Sequence, residues 1–120
     1  MTDPIIDLAT FRELQDTAGP EFAAELVDTF LEEAPLMLAE LRSARAEADA
    51  DTFRRAAHSL KSNSQTFGAM ALGALARELE LKGLPGGGAE ASAAQGEAAL
   101  AALDVAYAQA AAGLKALCHG

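Results

Sequence analysis

The chain has 120 residues, the size of a single compact domain that can bury a core without disulfides or metals. A quarter of it, 30 residues, is alanine, with only two valines, two isoleucines and no tryptophan, which excludes a β-sheet fold because strands favour β-branched and aromatic residues. The net charge of −9 argues against nucleic acids and anionic membranes as partners, because both bind through a basic surface.

Apolar periodicity and helix-breaking residues predict five helices. They are expected at about residues 11–17, 21–48, 52–66, 69–82 and 90–117. Thr10 is the expected N-cap of the first helix, and Pro20 suits the first turn of the second. Asp49 or Asp51 is expected to cap the third helix. Gly83 and the loop at 84–88 should separate the last two helices.

The apolar residues of these helices define a candidate core. In the three longest apolar patterns they are Phe22, Leu26, Phe30, Ala34, Leu38 and Leu41, then Leu72, Leu75, Leu79 and Leu81, then Leu100, Leu103, Tyr107, Leu114 and Leu117. Pro35 predicts a kink near Glu32 rather than a helix end, because the apolar period resumes after it. Gly73 indicates either close approach of another helix or a tolerated cost.

These patterns predict an all-α fold: an antiparallel four-helix bundle with a short N-terminal capping helix, formed by one domain over residues 1–120. The segment 98–117 is too weakly hydrophobic to span a membrane. The N-terminus has no basic region typical of a signal peptide. The single cysteine, Cys118, excludes an internal disulfide and a cysteine-based zinc cluster. Together these features favour a cytoplasmic protein.

His58 is expected at the centre of the polar face of the third helix. At about 100° per residue, the apolar side chains lie on the opposite side: Phe53, Ala56, Leu60 and Phe67. The polar side chains lie around His58: Asp51, Arg54, Arg55, Lys61, Ser62 and Gln65. The imidazole should therefore point towards solvent, which argues against a histidine buried in the core.

Periodicity alone leaves two interpretations of His58 open. The simpler one is an ordinary solvated histidine, because clusters of surface charge are usually only a solvated helix face. The other is a nucleophile that accepts a phosphoryl group, since an imidazole is often neutral near pH 7 and can attack through nitrogen. Three of the nine basic residues, Arg54, Arg55 and Lys61, lie within one turn of His58 and supply cations that a phosphoryl group needs.

The run AHSLKSNSQTFGA at residues 57–69 resembles the signature of histidine-containing phosphotransfer (HPt) domains. That signature places Leu and Lys two and three residues after the histidine, and Gly-Ala or Gly-Leu ten residues after it. The resemblance continues through LGALARELE at 72–80 and includes upstream residues of the second helix. It extends over nearly the whole chain and is least distinctive in the last helix.

The resemblance implies a role for each matching residue. His58 corresponds to the phosphoacceptor, Lys61 to the cation that stabilises the phosphoryl group, and Gly68 to the glycine at the helix turn. Glu80 corresponds to the acid that hydrogen-bonds the other imidazole nitrogen and sets the tautomer. Ser62 departs from the family pattern, in which glycine is usual. Serine is small enough to keep the imidazole accessible, its hydroxyl can bond phosphoryl oxygens, and slower or partner-tuned transfer is the largest change expected.

The spacing of His58 and Glu80 predicts that they meet. His58 lies ten residues before Gly68 and Glu80 lies twelve after it, on helices that a tight turn makes antiparallel. At 1.5 Å per residue the two side chains should be level. A hydrogen bond between Glu80 and one ring nitrogen is therefore expected.

The resemblance further implies a phosphorelay carrier and not an autonomous enzyme. The expected partners are response-regulator receiver domains, with a hybrid histidine kinase as a further candidate, and the receiver is expected to supply the aspartate, Mg²⁺ and a cationic residue. No cofactor or metal site of the chain's own is expected, and the bundle is expected to be a monomer.

Three alternatives remain. The first is a fragment of a histidine kinase, against which we count the start at Met1 and the absence of Gly-rich nucleotide-binding boxes. The second is an HPt domain that a histidine kinase phosphorylates directly. The third is an adaptor bundle that is not phosphorylated, which the presence of His58, Lys61 and Glu80 disfavours.

Overall fold

A computed structural model describes residues 6–82 and 90–119. It contains five helices: α1 at Leu8–Ala18, α2 at Pro20–Glu47, α3 at Ala50–Thr66, α4 at Met70–Lys82 and α5 at Glu90–His119. No strand is present in this part of the chain. The all-α prediction is confirmed. The predicted cap at Gly83 and the loop at 84–88 lie outside the described residues.

The N-terminal caps explain where the helices begin. α1 starts three residues before the predicted position because Asp7, and not Thr10, is its N-cap and accepts a hydrogen bond from the Thr10 backbone N–H at 3.3 Å. Asp49 is the N-cap of α3, one of the two predicted alternatives, and accepts from the Thr52 backbone N–H at 3.2 Å. Pro20 occupies the first turn of α2, as expected.

Helices α2 to α5 form the bundle, each packed against two neighbours, and α1 packs on α2 and α3 as the predicted capping helix. Two ion pairs join α2 to α5: Arg42 with Asp104 at 3.0 Å and Arg45 with Glu97 at 2.8 Å. The residue numbers rise along α2 as they fall along α5, so the two helices are antiparallel. No helix in the described residues is long and apolar enough to cross a membrane.

The core differs from the predicted set at three residues. Phe22, Leu81 and Leu117 are exposed. The buried stripe of α2 instead begins with Ala23 and Val27, so that Phe22 is turned by about 100° away from it. Leu81 lies nine residues after the buried Leu72, which is half a turn away on α4.

Fully buried alanines explain much of this difference. Ala23, Ala34, Ala57 and Ala76 have no exposed surface, and they sit where helices meet. Small side chains let helix backbones approach closely, so an alanine at the interface takes the place that a larger apolar residue was predicted to fill. α2 also continues through Pro35 without ending, as predicted.

The two glycines of the α3–α4 pair both lie at close approaches. An added Cβ on Gly73 would lie 3.3 Å from Gln65 Cγ on α3, so of the two interpretations of Gly73 the close approach is right. Gly68 has φ +80° in the turn between the helices, and its carbonyl accepts a hydrogen bond from the Asp7 N–H at 2.8 Å. An added Cβ there would lie 2.7 Å from the Asp7 carbonyl oxygen. The turn and α1 are therefore locked together.

We expect Gly68→Ala to destabilise the protein more than Gly19→Ala. Both glycines have positive φ, so each alanine costs about 1–2 kcal/mol in backbone strain. A Cβ on Gly19 meets nothing within 4 Å, whereas a Cβ on Gly68 collides with the Asp7 backbone and should cost about 1–3 kcal/mol more. Urea denaturation of the two variants measures the difference. Equal losses of stability would mean that the turn yields to the added methyl group.

Candidate functional site

α3 presents His58 to solvent. The residues predicted on the opposite side of the helix, Phe53, Ala56, Leu60 and Phe67, are all buried. The His58 side chain is 57% exposed. The helical periodicity of α3 therefore orients the imidazole away from the core, as predicted, and leaves room for a protein partner to reach it.

α4 brings Glu80 to His58. The turn at Gly68 folds α4 back along α3, and the two helices share the largest helix–helix contact of the bundle. Oε2 of Glu80 lies 2.6 Å from Nδ1 of His58. The predicted hydrogen bond between Glu80 and a ring nitrogen is present. Because an ionised carboxylate only accepts hydrogen bonds, this contact places a proton on Nδ1.

Lys61 completes a three-residue cluster, which we call the imidazole–carboxylate–lysine cluster: His58, Glu80 and Lys61. Nζ of Lys61 donates to the other carboxylate oxygen, Oε1 of Glu80, at 2.7 Å. The Lys61 and Glu80 side chains are only 21% and 18% exposed. The inner part of the cluster is thus an ion pair partly shielded from water, and the outer part is the imidazole.

The electrostatics of the cluster centre on the Glu80 carboxylate. Its hydrogen bond from Lys61 is the main reason that the pKa of Glu80 is lowered from its ordinary value, and its hydrogen bond with His58 adds to this. Partial burial acts in the opposite direction and is outweighed. Glu80 is therefore held as a carboxylate with one oxygen for each neighbour.

The remaining residues of the predicted site do not join this cluster. Arg54 pairs with Asp51 at 3.0 Å, one turn towards the N-terminus of α3. Arg55, Ser62 and Gln65 are exposed on the same helix. Gly68 lies in the turn, about 15 Å from His58 along the helix axis, and acts on the site only by setting the path of the chain.

The sequence interpretation missed the pairing of Lys61 with Glu80. Lys61 was expected to be a cation available to a phosphoryl group, whereas its ammonium group is already bound to a carboxylate. The signal was present in the spacing: His58 and Lys61 are three residues apart and share a helix face, so a residue level with one is also near the other. Among the described residues, no group of three or more His, Cys, Asp and Glu side chains could hold a metal ion.

Comparisons with known proteins agree with this geometry. The family model of the Hpt domain matches residues 25–119, a range that includes all three residues of the cluster. The crystal structure of histidine-containing phosphotransfer protein B (HptB) from Pseudomonas aeruginosa PAO1 is similar over 97% of this chain and 96% of that chain, with a TM-score of 0.81 and 26% sequence identity. A search of curated protein sequences found no significant match. Because the family model covers well over half of its residues, the chain belongs to the Hpt domain family.

Proposed function

We propose that this protein carries a phosphoryl group on His58, which it accepts from the phospho-aspartate of one response-regulator receiver domain and passes to another. The observation that carries this proposal is the exposed imidazole whose Nδ1 is bound to Glu80. Membership of the Hpt family supports a phosphocarrier role in two-component signalling, and phosphocarriers of this kind are not autonomous catalysts. The reducing compartment suggested by the lone cysteine is the cytoplasm.

The proposed nucleophile is Nε2 of His58. Glu80 holds the proton on Nδ1, so the lone pair of the neutral ring is on Nε2, the nitrogen for which the described residues provide no hydrogen-bond partner. In the transfer, a bond forms between Nε2 and phosphorus while the bond between phosphorus and the aspartate oxygen breaks, and the electron pair goes to the aspartate. The ring then carries a positive charge, which the Glu80 carboxylate stabilises.

Charge on the phosphoryl group has to be balanced by other residues. Lys61, one turn from His58, is the proposed stabilising cation of this chain, while Arg54 and Arg55 extend the positive surface of α3. The Ser62 hydroxyl is exposed one turn after His58 and is small enough to leave the ring accessible. The receiver domain is proposed to bring the Mg²⁺ ion, which neutralises phosphoryl oxygens during transfer.

The test is phosphoryl transfer from a ³²P-labelled receiver domain. Label should appear on this chain, and it should be acid-labile and base-stable, as expected for a phosphohistidine. Addition of a second, unlabelled receiver domain should remove the label from the chain, which tests the direction of transfer. Label from a histidine kinase and ATP without any receiver would support direct phosphorylation instead. No label under either condition would support the adaptor interpretation and would contradict the proposal.

The oligomeric state is part of the proposal. We propose a monomer, because the core is complete within one chain and the imidazole is exposed without a second copy. Light scattering at the concentrations used for transfer measures this directly. A dimer that hides His58 would contradict it.

A further inference from the structure

We propose that Lys61 is a positioning residue in the unphosphorylated protein: by holding Oε1 of Glu80, it directs Oε2 to Nδ1 of His58 and so keeps the lone pair on Nε2. This role is distinct from stabilising the phosphoryl group, because it operates before any phosphoryl group arrives. It rests on the proposed function, since the nitrogen that it prepares is the proposed nucleophile.

The contacts at the carboxylate carry this inference. The two oxygens of Glu80 have one partner each, Lys61 at 2.7 Å and His58 at 2.6 Å. A glutamate side chain has several rotatable bonds, and one hydrogen bond to a half-exposed imidazole does not by itself fix its orientation. The second hydrogen bond comes from an ammonium group whose side chain is mostly buried against α4, so it pins the carboxylate in one orientation.

The position of Lys61 fits this role better than that of any other cation in the cluster's vicinity. Arg54 is bound to Asp51, and Arg55 makes no hydrogen bond or ion pair with Glu80 in the part of the chain that the structure describes. Arg77 lies one turn before Glu80 on α4 and is exposed, and it makes no such contact either. Lys61 is also the largest cause of the lowered pKa of Glu80, which shows that the carboxylate interacts with it more strongly than with His58.

The role predicts a change in tautomer when Lys61 is removed. Without the ammonium group, Glu80 gains freedom to turn to solvent, and the Nδ1–H···Oε2 hydrogen bond is formed for less of the time. The proton then shifts towards Nε2, which leaves no lone pair on the proposed nucleophile. We expect the ratio of Nδ1–H to Nε2–H tautomers to fall by about fivefold in Lys61→Met, corresponding to the loss of roughly one ordinary hydrogen bond.

The experiment measures the ring nitrogens of His58 by NMR in the unphosphorylated protein. ¹⁵N-histidine is incorporated in a His119→Gln background, so that His58 is the only labelled histidine. Spectra at about pH 9, well above the ordinary pKa of a histidine of about 6.5, report the tautomer of the neutral ring. Lys61→Met keeps the aliphatic stem and removes the charge, and Lys61→Ala serves as a second variant without the ammonium group.

Two further variants make the result specific. Arg77→Met removes a positive charge from an exposed position of α4 and should leave the tautomer ratio of wild type. Lys61→Arg keeps a donor for Oε1 and should restore most of the ratio. An unchanged ratio in both Lys61→Met and Lys61→Ala would overturn the inference. So would equal shifts in Lys61→Met and Lys61→Arg, since the effect would not depend on the cation.

The outcome is independent of the proposed function. The tautomer is measured without any receiver domain, so a failure of phosphoryl transfer does not affect it. If Lys61 acted only on the phosphoryl group, Lys61→Met would slow transfer and leave the tautomer of the unphosphorylated ring unchanged. That result would retain the carrier function and overturn the positioning role.

Discussion

His58→Gln is expected to abolish phosphoryl acceptance completely while the protein stays folded. The glutamine amide has no nitrogen lone pair that can attack phosphorus, so no slower route through this residue remains. Its NH₂ group can still donate to Glu80, which preserves the contact between α3 and α4. The side chain is 57% exposed, so we expect the melting temperature to stay within about 3 °C of wild type.

The measurement is ³²P incorporation from a labelled receiver domain, with thermal unfolding followed by circular dichroism. His119→Gln is the matched control, because it removes the other histidine of the chain and should leave incorporation at the wild-type level. Incorporation that survives in His58→Gln and disappears in His119→Gln would mean that the wrong histidine was assigned. Loss of incorporation together with loss of the folded state would also contradict this prediction.

Glu80→Gln should slow phosphoryl transfer by about tenfold to a hundredfold, although the substitution changes only one atom and one charge. In wild type, the carboxylate accepts from both Lys61 and Nδ1–H of His58. An amide has one oxygen and one NH₂ group, and Lys61 can pair only with the oxygen. The NH₂ group then faces Nδ1 and requires it as an acceptor, so the proton moves to Nε2. The two opposed hydrogen bonds account for the size of the effect.

Single-turnover transfer from a phosphorylated receiver domain measures this rate. Glu78→Gln is the matched control: it makes the same chemical change on an exposed residue of α4 and should transfer at the wild-type rate. Glu80→Gln combined with Lys61→Met should be faster than Glu80→Gln alone, because the amide can then rotate and offer its oxygen to Nδ1–H. A double variant that is slower than both single variants would show that the tautomer does not limit transfer.

The sequence alone was sufficient for the fold class and for the face on which His58 lies. A composition of 25% alanine with almost no β-branched apolar residues leaves helices as the only regular structure, and their periodicity determines which side of α3 is apolar. The pairing of His58 with Glu80 was also predictable, because a tight turn makes two helices antiparallel and the rise per residue is constant. These features depend on local geometry that repeats along the chain.

Three features became apparent only in the tertiary structure. The N-cap of α1 is Asp7 rather than Thr10, and this residue also bonds the turn at Gly68, a contact between segments sixty residues apart. Phe22 is exposed because the alanines of α2 face the other helices, which depends on how closely the backbones approach. Helical periodicity marks an apolar face, but it does not say which side chains a neighbouring helix will cover.

The pairing of Lys61 with Glu80 is the third feature, and it matters most for function. A lysine on a polar helix face has several possible partners, and the sequence does not rank them. The approach of α3 and α4 at Gly73 brings the Glu80 carboxylate between His58 and Lys61, where partial burial favours the ion pair over hydration of the separate charges. The sequence by itself thus determined which residues carry the chemistry, and only the tertiary structure decided that the cation is bound to the carboxylate before the phosphoryl group arrives.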